Sequence, residues 1–393
     1  MLKPVEVGLY VHIPFCVRKC LYCDFNSYAG MESLMGAYVE SLVSEAALAA
    51  ATAASSGERY VARTLFLGGG TPSLLTAAQL ASVLDACAGH FDWRPTLETT
   101  VEANPGTVDR PYLAAIRDLG VNRVSLGLQS LDEAELRSLG RLHSAEEGML
   151  AYRLCREAGI PTVSLDLMYA LSEQSLEKWE STLHKAISLD PDHISLYPLT
   201  VEPGTPFHRM QQKGLLTLPS QDESAQMYED AEDTLSAAGY EHYEISNWAR
   251  TGGTRRCEHN LIYWRNEPYL GLGAGAHSYL DNARRWNVAS VRGYVGEVGS
   301  GRLPVEGREL LPEGVTMAEM AILGLRTSDG IRRDAFLGRF QTPLDDVFHG
   351  AINSACYLGL LVDTGEAIVL SPRGKLLGNE VFVLFLDEIR DRS

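Results

Sequence analysis

Between Gly8 and about Tyr240, short runs rich in Val, Ile, Leu and Thr alternate with longer amphipathic stretches. The runs fall at 9–13, 64–68, 99–103, 123–128, 162–167 and 193–197, and none has an internal proline. Strands buried on both faces read this way, as continuous apolar runs rather than as polar–apolar alternation. The stretches between them, among them 77–88, 111–119, 145–158 and 176–189, carry helical periodicity, and glycines such as Gly120 and Gly159 mark their ends. Six βα units in series predict a parallel sheet, which right-handed crossovers curl into a partial (β/α)6 barrel. A doubly wound open sheet is the alternative, because periodicity does not separate the two.

Residues 1–240 are therefore expected to form the barrel. Residues 241–304 are Gly-rich, aromatic and poor in helical period, and read as a connecting segment. From 305 to 393 the helical pattern returns with a short apolar run at 368–370, which suggests a small α+β, winged-helix-like domain.

Charge narrows the function. The chain has 34 basic and 51 acidic residues, a net charge of −17, and the last segment alone has net −5. Binding to nucleic acid or to an anionic membrane rests on Lys and Arg, so neither partner is expected. No apolar run approaches the length of a membrane span, and no secretory signal is visible. Three of the seven cysteines crowd together as Cys16, Cys20 and Cys23. An odd, uneven set is a poor disulfide framework and fits a reduced, cytoplasmic protein with a metal site.

Chemistry gathers at the C-terminal ends of the expected strands, where α/β barrels build their sites. The cysteine loop follows the first run, and Gly68–Thr71 with Pro72 follows the second. Glu102, Gln129, Asp166 and Tyr197 close the remaining four. Three thiolates on one loop fit a [4Fe–4S] cluster with one iron left open, whereas structural zinc takes four ligands and usually two separated pairs. Glycines after a strand let backbone N–H groups approach a ligand. Carboxylates at strand ends need polar partners, which a ligand would supply.

Residues 10–16, the CxxxCxxC loop, GlyGlyGlyThrPro at 68–72, ValGluAlaAsnProGly at 101–106 and SerLeuGlyLeuGlnSer at 125–130 resemble the radical S-adenosylmethionine (SAM) superfamily. ArgLeuHis at 141–143 and AspLeuMetTyr at 166–169 extend the likeness along nearly the whole chain. Within the superfamily it is similar to the branch of oxygen-independent coproporphyrinogen III oxidases and their heme-chaperone relatives. The resemblance implies cluster ligation by Cys16, Cys20 and Cys23. It also implies SAM contacts from Tyr10, Tyr22, Gly69, Gly70, Thr71, Glu102, Gln129, Arg141 and Asp166, with reductive cleavage of SAM to a 5′-deoxyadenosyl radical.

Two departures separate the chain from the oxidases. Phe25 stands where they typically carry a fourth cysteine, and little chain precedes Cys16. HisAsnLeuIleTyrTrp at 259–264 matches the HNxxYW motif associated with heme in the chaperones. A neutral imidazole suits heme iron, so His259 is the expected heme contact, with Cys257 and His277 as weaker candidates. The reading is a heme chaperone that hands heme to an acceptor protein and carries a [4Fe–4S] cluster with exchangeable SAM. No residue is assigned a catalytic role, and SAM turnover stays open. The alternatives are coproporphyrinogen III oxidation and another radical SAM reaction, such as methyl transfer or heme degradation. An electron donor such as flavodoxin or ferredoxin and a homodimer are compatible with the family.

Overall fold

A computed structural model describes residues 2–253 and 255–390. The six expected runs become β1 (Lys3–Ile13), β2 (Glu58–Gly69), β3 (Asp92–Ala103), β4 (Arg123–Gln129), β5 (Thr162–Tyr169) and β6 (His193–Pro198). Each pairs in parallel with the next. Connecting them are α1 (Met35–Ser55), α2 (Ala77–His90), α3 (Arg110–Asp118), α4 (Glu133–Leu139), α5 (Ala145–Glu157) and α6 (Leu176–Ser188). Thr76 with Gln79 and Ser144 with Glu147 close capping boxes on α2 and α5, each contributing about 1 kcal/mol to a helix start.

One face of each strand is buried under the helices; on β1 these residues are Val7, Leu9, Val11 and Ile13, all 0% exposed. Alternation turns Gly8, Tyr10 and His12 to the opposite face, inside the curl. Helices α7 (Pro206–Gln212) and α8 (Gln221–Ala237) follow β6.

The stretch read as a connecting segment extends the sheet at both edges. Strands β7 (Tyr240–Glu244) and β8 (Asn247–Arg250) form a hairpin beside β6. After α9 (Glu258–Trp264), β9 (Tyr269–Leu272) pairs in parallel with β1 and begins an antiparallel run with β10 (His277–Leu280) and β11 (Ala283–Asn287). Helix α10 (Val291–Gly299) leads to the edge strand β12 (Val305–Leu310), so the segment from 305 opens inside the sheet rather than in a separate unit. The twelve strands run β12–β11–β10–β9–β1–β2–β3–β4–β5–β6–β8–β7, an open order.

Helix α1 differs from expectation. With the turn before it, Glu32–Ser55 is long and apolar enough by composition to pass as a membrane span, a property its alanines conceal in a simple reading. In this fold its Tyr38, Leu42, Ala46 and Ala49 belong to the barrel core. Its Glu45 is buried and accepts hydrogen bonds from Tyr294 Oη at 2.6 Å, Asn287 Nδ2 at 2.6 Å and Gly273 N at 2.7 Å. Those bonds tie the Gly-rich turn after β9 to α1.

Helices α11 (Glu313–Leu325), α12 (Arg333–Phe340), α13 (Leu344–Val347), α14 (His349–Tyr357), α15 (Pro372–Leu376) and α16 (Gly378–Arg390) surround a three-stranded sheet. Its strands, β13 (Ile331–Arg332), β14 (Leu361–Asp363) and β15 (Ala367–Leu370), run in the order β13–β15–β14. This winged-helix-like unit has its own core around Phe336, Phe348 and Phe385. It meets the barrel sheet through backbone bonds from Ile245 N to Arg326 O and from Ser328 N to Tyr243 O, each 2.9 Å.

Candidate functional site

The cysteine loop leaves β1 at Ile13 and is closed by a short parallel pairing of Phe15–Cys16 with Tyr28–Ala29. Further bonds, Leu21 N to Leu139 O and Phe207 N to Leu21 O, both 3.1 Å, fasten it to α4 and α7. Cys16 is buried, while Cys20 and Cys23 are partly exposed. Among the described residues no three His, Cys, Asp or Glu side chains converge closely enough for a single metal ion. A multi-iron cluster takes one thiolate per iron and does not require that convergence.

One chain of hydrogen bonds links two of the thiols through two strand ends and the turn after α4. Thr71 Oγ1 donates to Cys16 Sγ at 3.6 Å and accepts from Asn104 Nδ2 at 2.9 Å. Asn104 Oδ1 accepts from Arg141 Nη2 at 2.5 Å, and Arg141 Nη1 lies 3.5 Å from Cys20 Sγ. Arg141 Nε is buried without a partner. Asn104 belongs to this network, yet the sequence reading gave it no role; its place two residues after Glu102, just past the strand end, was the available signal. Cys23 Sγ lies 3.8 Å from Ser27 Oγ, and burial raises its thiol pKa.

The glycines are required by packing as well as by any ligand. Gly69 adopts φ +109, and a Cβ there would run into the His12 ring; a Cβ at Gly70 would meet Phe15 O at 2.7 Å. His12 in turn bonds Tyr10 Oη through Nδ1 at 2.9 Å and Asn26 O through Nε2 at 2.8 Å. Tyr22 lies against Phe207, ring centroids 6.5 Å apart, and its pKa is raised mainly by burial and then by Cys20. Gln129 follows a bulge in the β4–β5 register and takes φ +68, a conformation uncommon outside glycine.

Two carboxylates lie deeper. Glu102 Oε2 accepts from Gly69 N at 3.0 Å, and Asp166 accepts from Ser125 Oγ at 2.9 Å. Burial, followed by the nearby Asp166 charge, pushes the Glu102 pKa up to about 7; burial also raises Asp166. Two desolvated acids in one recess are suited to hydroxyl or ammonium groups.

The HisAsnxxTyrTrp residues form α9, whose first turn rests on Glu98 of β3: Glu258 N at 3.2 Å and His259 N at 3.0 Å donate to its carboxylate. The His259 ring is buried and neutral, its pKa lowered to about 3 by desolvation. Both of its nitrogens are engaged, Nδ1 with Thr64 Oγ1 at 2.7 Å and Nε2 with Tyr263 Oη at 2.9 Å. Phe66 stacks on it at 5.0 Å. Cys257 is also buried, its thiol directed at Glu98 Oε1 at 3.6 Å. His277 stands exposed on β10 beside Trp286.

The motif residues that reach open space are Asn260, Tyr263 and Trp264. They line a cavity of about 570 Å³ between α9, the sheet and α11, together with Tyr197, Tyr269 and Tyr279. Sequence reasoning located the motif but neither the helix that carries it nor this cavity, which needs α11 from the C-terminal unit.

Comparison with known proteins agrees with this architecture. The radical SAM superfamily pattern matches residues 10–186, and the HemN C-terminal domain pattern matches residues 311–377. The protein named heme chaperone HemW from Bacillus subtilis is 37% identical over 381 residues, covering 97% of this chain and 99% of its own. Its namesake from Escherichia coli is 35% identical over 394 residues, covering 99% and 100%. Coproporphyrinogen III oxidase (HemN) from Escherichia coli shares the fold, with TM-score 0.83 at 22% identity over 97% of this chain and 90% of that one.

Proposed function

The chain belongs to the HemW heme chaperone family within the radical SAM superfamily, and we propose on that premise that it binds heme and passes it to an acceptor protein. The observation that carries the proposal is the aromatic cavity walled by Tyr263 and Trp264 of the HNxxYW helix. Its tyrosine and tryptophan faces suit a flat, largely apolar macrocycle. His259 would hold the heme iron through Nε2, the nitrogen that the Tyr263 hydroxyl occupies here. Thr64 Oγ1, bonded to Nδ1, holds the ring in orientation.

The superfamily implies a [4Fe–4S] cluster and SAM. Cys16, Cys20 and Cys23 are the residues that would ligate the cluster, and Arg141, whose Nη1 lies beside Cys20 and whose Nε has no partner, fits an anionic group such as the SAM carboxylate. A bound cluster supplies electron transfer and one iron open to SAM. Thr71 and Asn104 orient the thiols and the guanidinium, Tyr10, Tyr22, Gly69, Gly70 and Gln129 shape the recess, and Glu102 with Asp166 would take the ribose hydroxyls or the amino group. Phe25, 62% exposed at the loop, supplies no fourth thiolate, which sets the chain apart from the oxidases.

The test loads the cluster-reconstituted protein with heme under anaerobic conditions and mixes it with an apo-acceptor such as apo-cytochrome b562. Net heme transfer with no conversion of coproporphyrinogen III supports the chaperone. Decarboxylation of coproporphyrinogen III without stable heme binding overturns it.

A further inference from the structure

The same cavity contains a cation with no hydrogen-bonded partner. Of the two arginines in its wall, Arg284 donates to Glu319 Oε1 at 2.5 Å. Arg326 makes no side-chain hydrogen bond or ion pair among the described residues, and its Nε is buried without a partner. Its guanidinium lies over the Trp264 ring, 4.8 Å from the centroid, and burial lowers its pKa. The backbone bond from Ile245 N to Arg326 O fixes its position at the junction of the two units.

Two further polar atoms in the wall are also buried and unpartnered: Trp264 Nε1 and Oδ1 of Asn247, which is 2% exposed. Three orphaned groups around one aromatic cavity are unusual, because buried polar groups are ordinarily satisfied. A partly buried guanidinium with no hydrogen-bonded partner in particular favours an anionic ligand, since such a charge is costly to leave unpaired. The other charged residue facing it, Glu244, has its pKa raised to about 7 by burial and is bonded to Ser246 N and Asn247 Nδ2. That carboxyl attracts the guanidinium through space but makes no hydrogen bond to it.

We propose that Arg326 recognises a carboxylate of a flat aromatic ligand seated against Trp264, so that the cavity selects macrocycles bearing free acid side chains, with the C-terminal unit supplying the anion contact. This rests on the heme reading above and assigns the heme propionates to Arg326. Trp264 holds the guanidinium by cation–π contact and lines the same cavity. The arrangement also gives the C-terminal unit a direct part in loading and release, since separating α11 from α9 would remove the carboxylate contact.

The experiment compares hemin with its dimethyl ester, in which the propionate charges are removed, on wild-type protein and on Arg326→Gln and Arg326→Lys. Wild type is expected to prefer hemin by at least ~10-fold, the factor that about 1.4 kcal/mol of charge-assisted hydrogen bonding supplies. Arg326→Gln should collapse that preference by weakening hemin binding far more than ester binding, and Arg326→Lys should restore part of it. Saturable ester binding by the variant also reports that it is folded. Equal wild-type affinity for hemin and ester, or a preference that survives Arg326→Gln, overturns the assignment while leaving heme binding intact. Failure of wild type to bind either ligand overturns the heme reading and this one with it.

Discussion

His259 Nε2 and the Tyr263 hydroxyl, one helical turn apart on α9, are joined at 2.9 Å, so the motif's imidazole reaches the aromatic cavity only through a tyrosine. Because the ring is neutral and Thr64 bonds the other nitrogen, Nε2 is the nitrogen left for a metal. Tyr263→Phe should therefore keep heme ligation and tighten it, by up to ~10-fold for one competing hydrogen bond lost. His259→Ala should change the Soret maximum and weaken binding. Titrating both variants checks this, and loss of ligation in Tyr263→Phe would transfer the ligand role to the phenol.

The cluster loop yields a separable pair of effects. Replacing Cys16, Cys20 or Cys23 by serine should reduce iron and sulfide incorporation on reconstitution. Arg141→Leu should retain the cluster yet weaken SAM binding by about 10-fold or more, as expected when a buried charge-assisted contact is removed. Iron analysis with equilibrium dialysis of SAM separates the two, and a full loss of iron in Arg141→Leu would assign the residue to the cluster instead.

Glu45 makes stability depend on pH. Its folded pKa is raised to about 7 by burial, against the usual 4.5. A raised pKa contributes stability below the unfolded value and loses it as pH climbs through the folded value. Wild type should thus lose ground to Glu45→Gln between about pH 4.5 and pH 7, by on the order of 3 kcal/mol at most. Denaturant melts of both proteins at pH 5 and pH 8 measure it, and parallel curves at both values would remove Glu45 as the cause.

The carboxylate of Glu98 accepts from two N–H groups in the first turn of α9. Glu98→Ala should cost about 1–2 kcal/mol, as loss of an N-terminal cap does, and should loosen heme binding by disordering the motif helix. A hydrogen-exchange comparison of α9 in the two proteins is the check.

The sequence made the parallel barrel legible because each of its six strands contains a continuous apolar run ending in reactive residues. Strands β9–β12 were harder, being short and antiparallel with mixed polarity, but one signal was present. Asp281 and Asn282, at φ +52 and +54, turn β10 into β11 as a type I′ hairpin, for which such residues are favoured. The environment of His259 was not legible, since its partner Thr64 is 195 residues away in the chain. The aromatic cavity was hidden for the same reason: Tyr263, Tyr279 and Arg326 meet only through the packing of α9, the sheet edge and the C-terminal unit.

The most direct test of the account is an anaerobic hemin titration of the cluster-reconstituted protein, followed in the Soret band, with Trp264→Ala beside wild type. The account predicts saturation at one heme per chain, with affinity reduced by ~10-fold or more in the variant as an aromatic wall of the cavity is removed. Unsaturable binding, or a wild-type curve that Trp264→Ala reproduces, would contradict it.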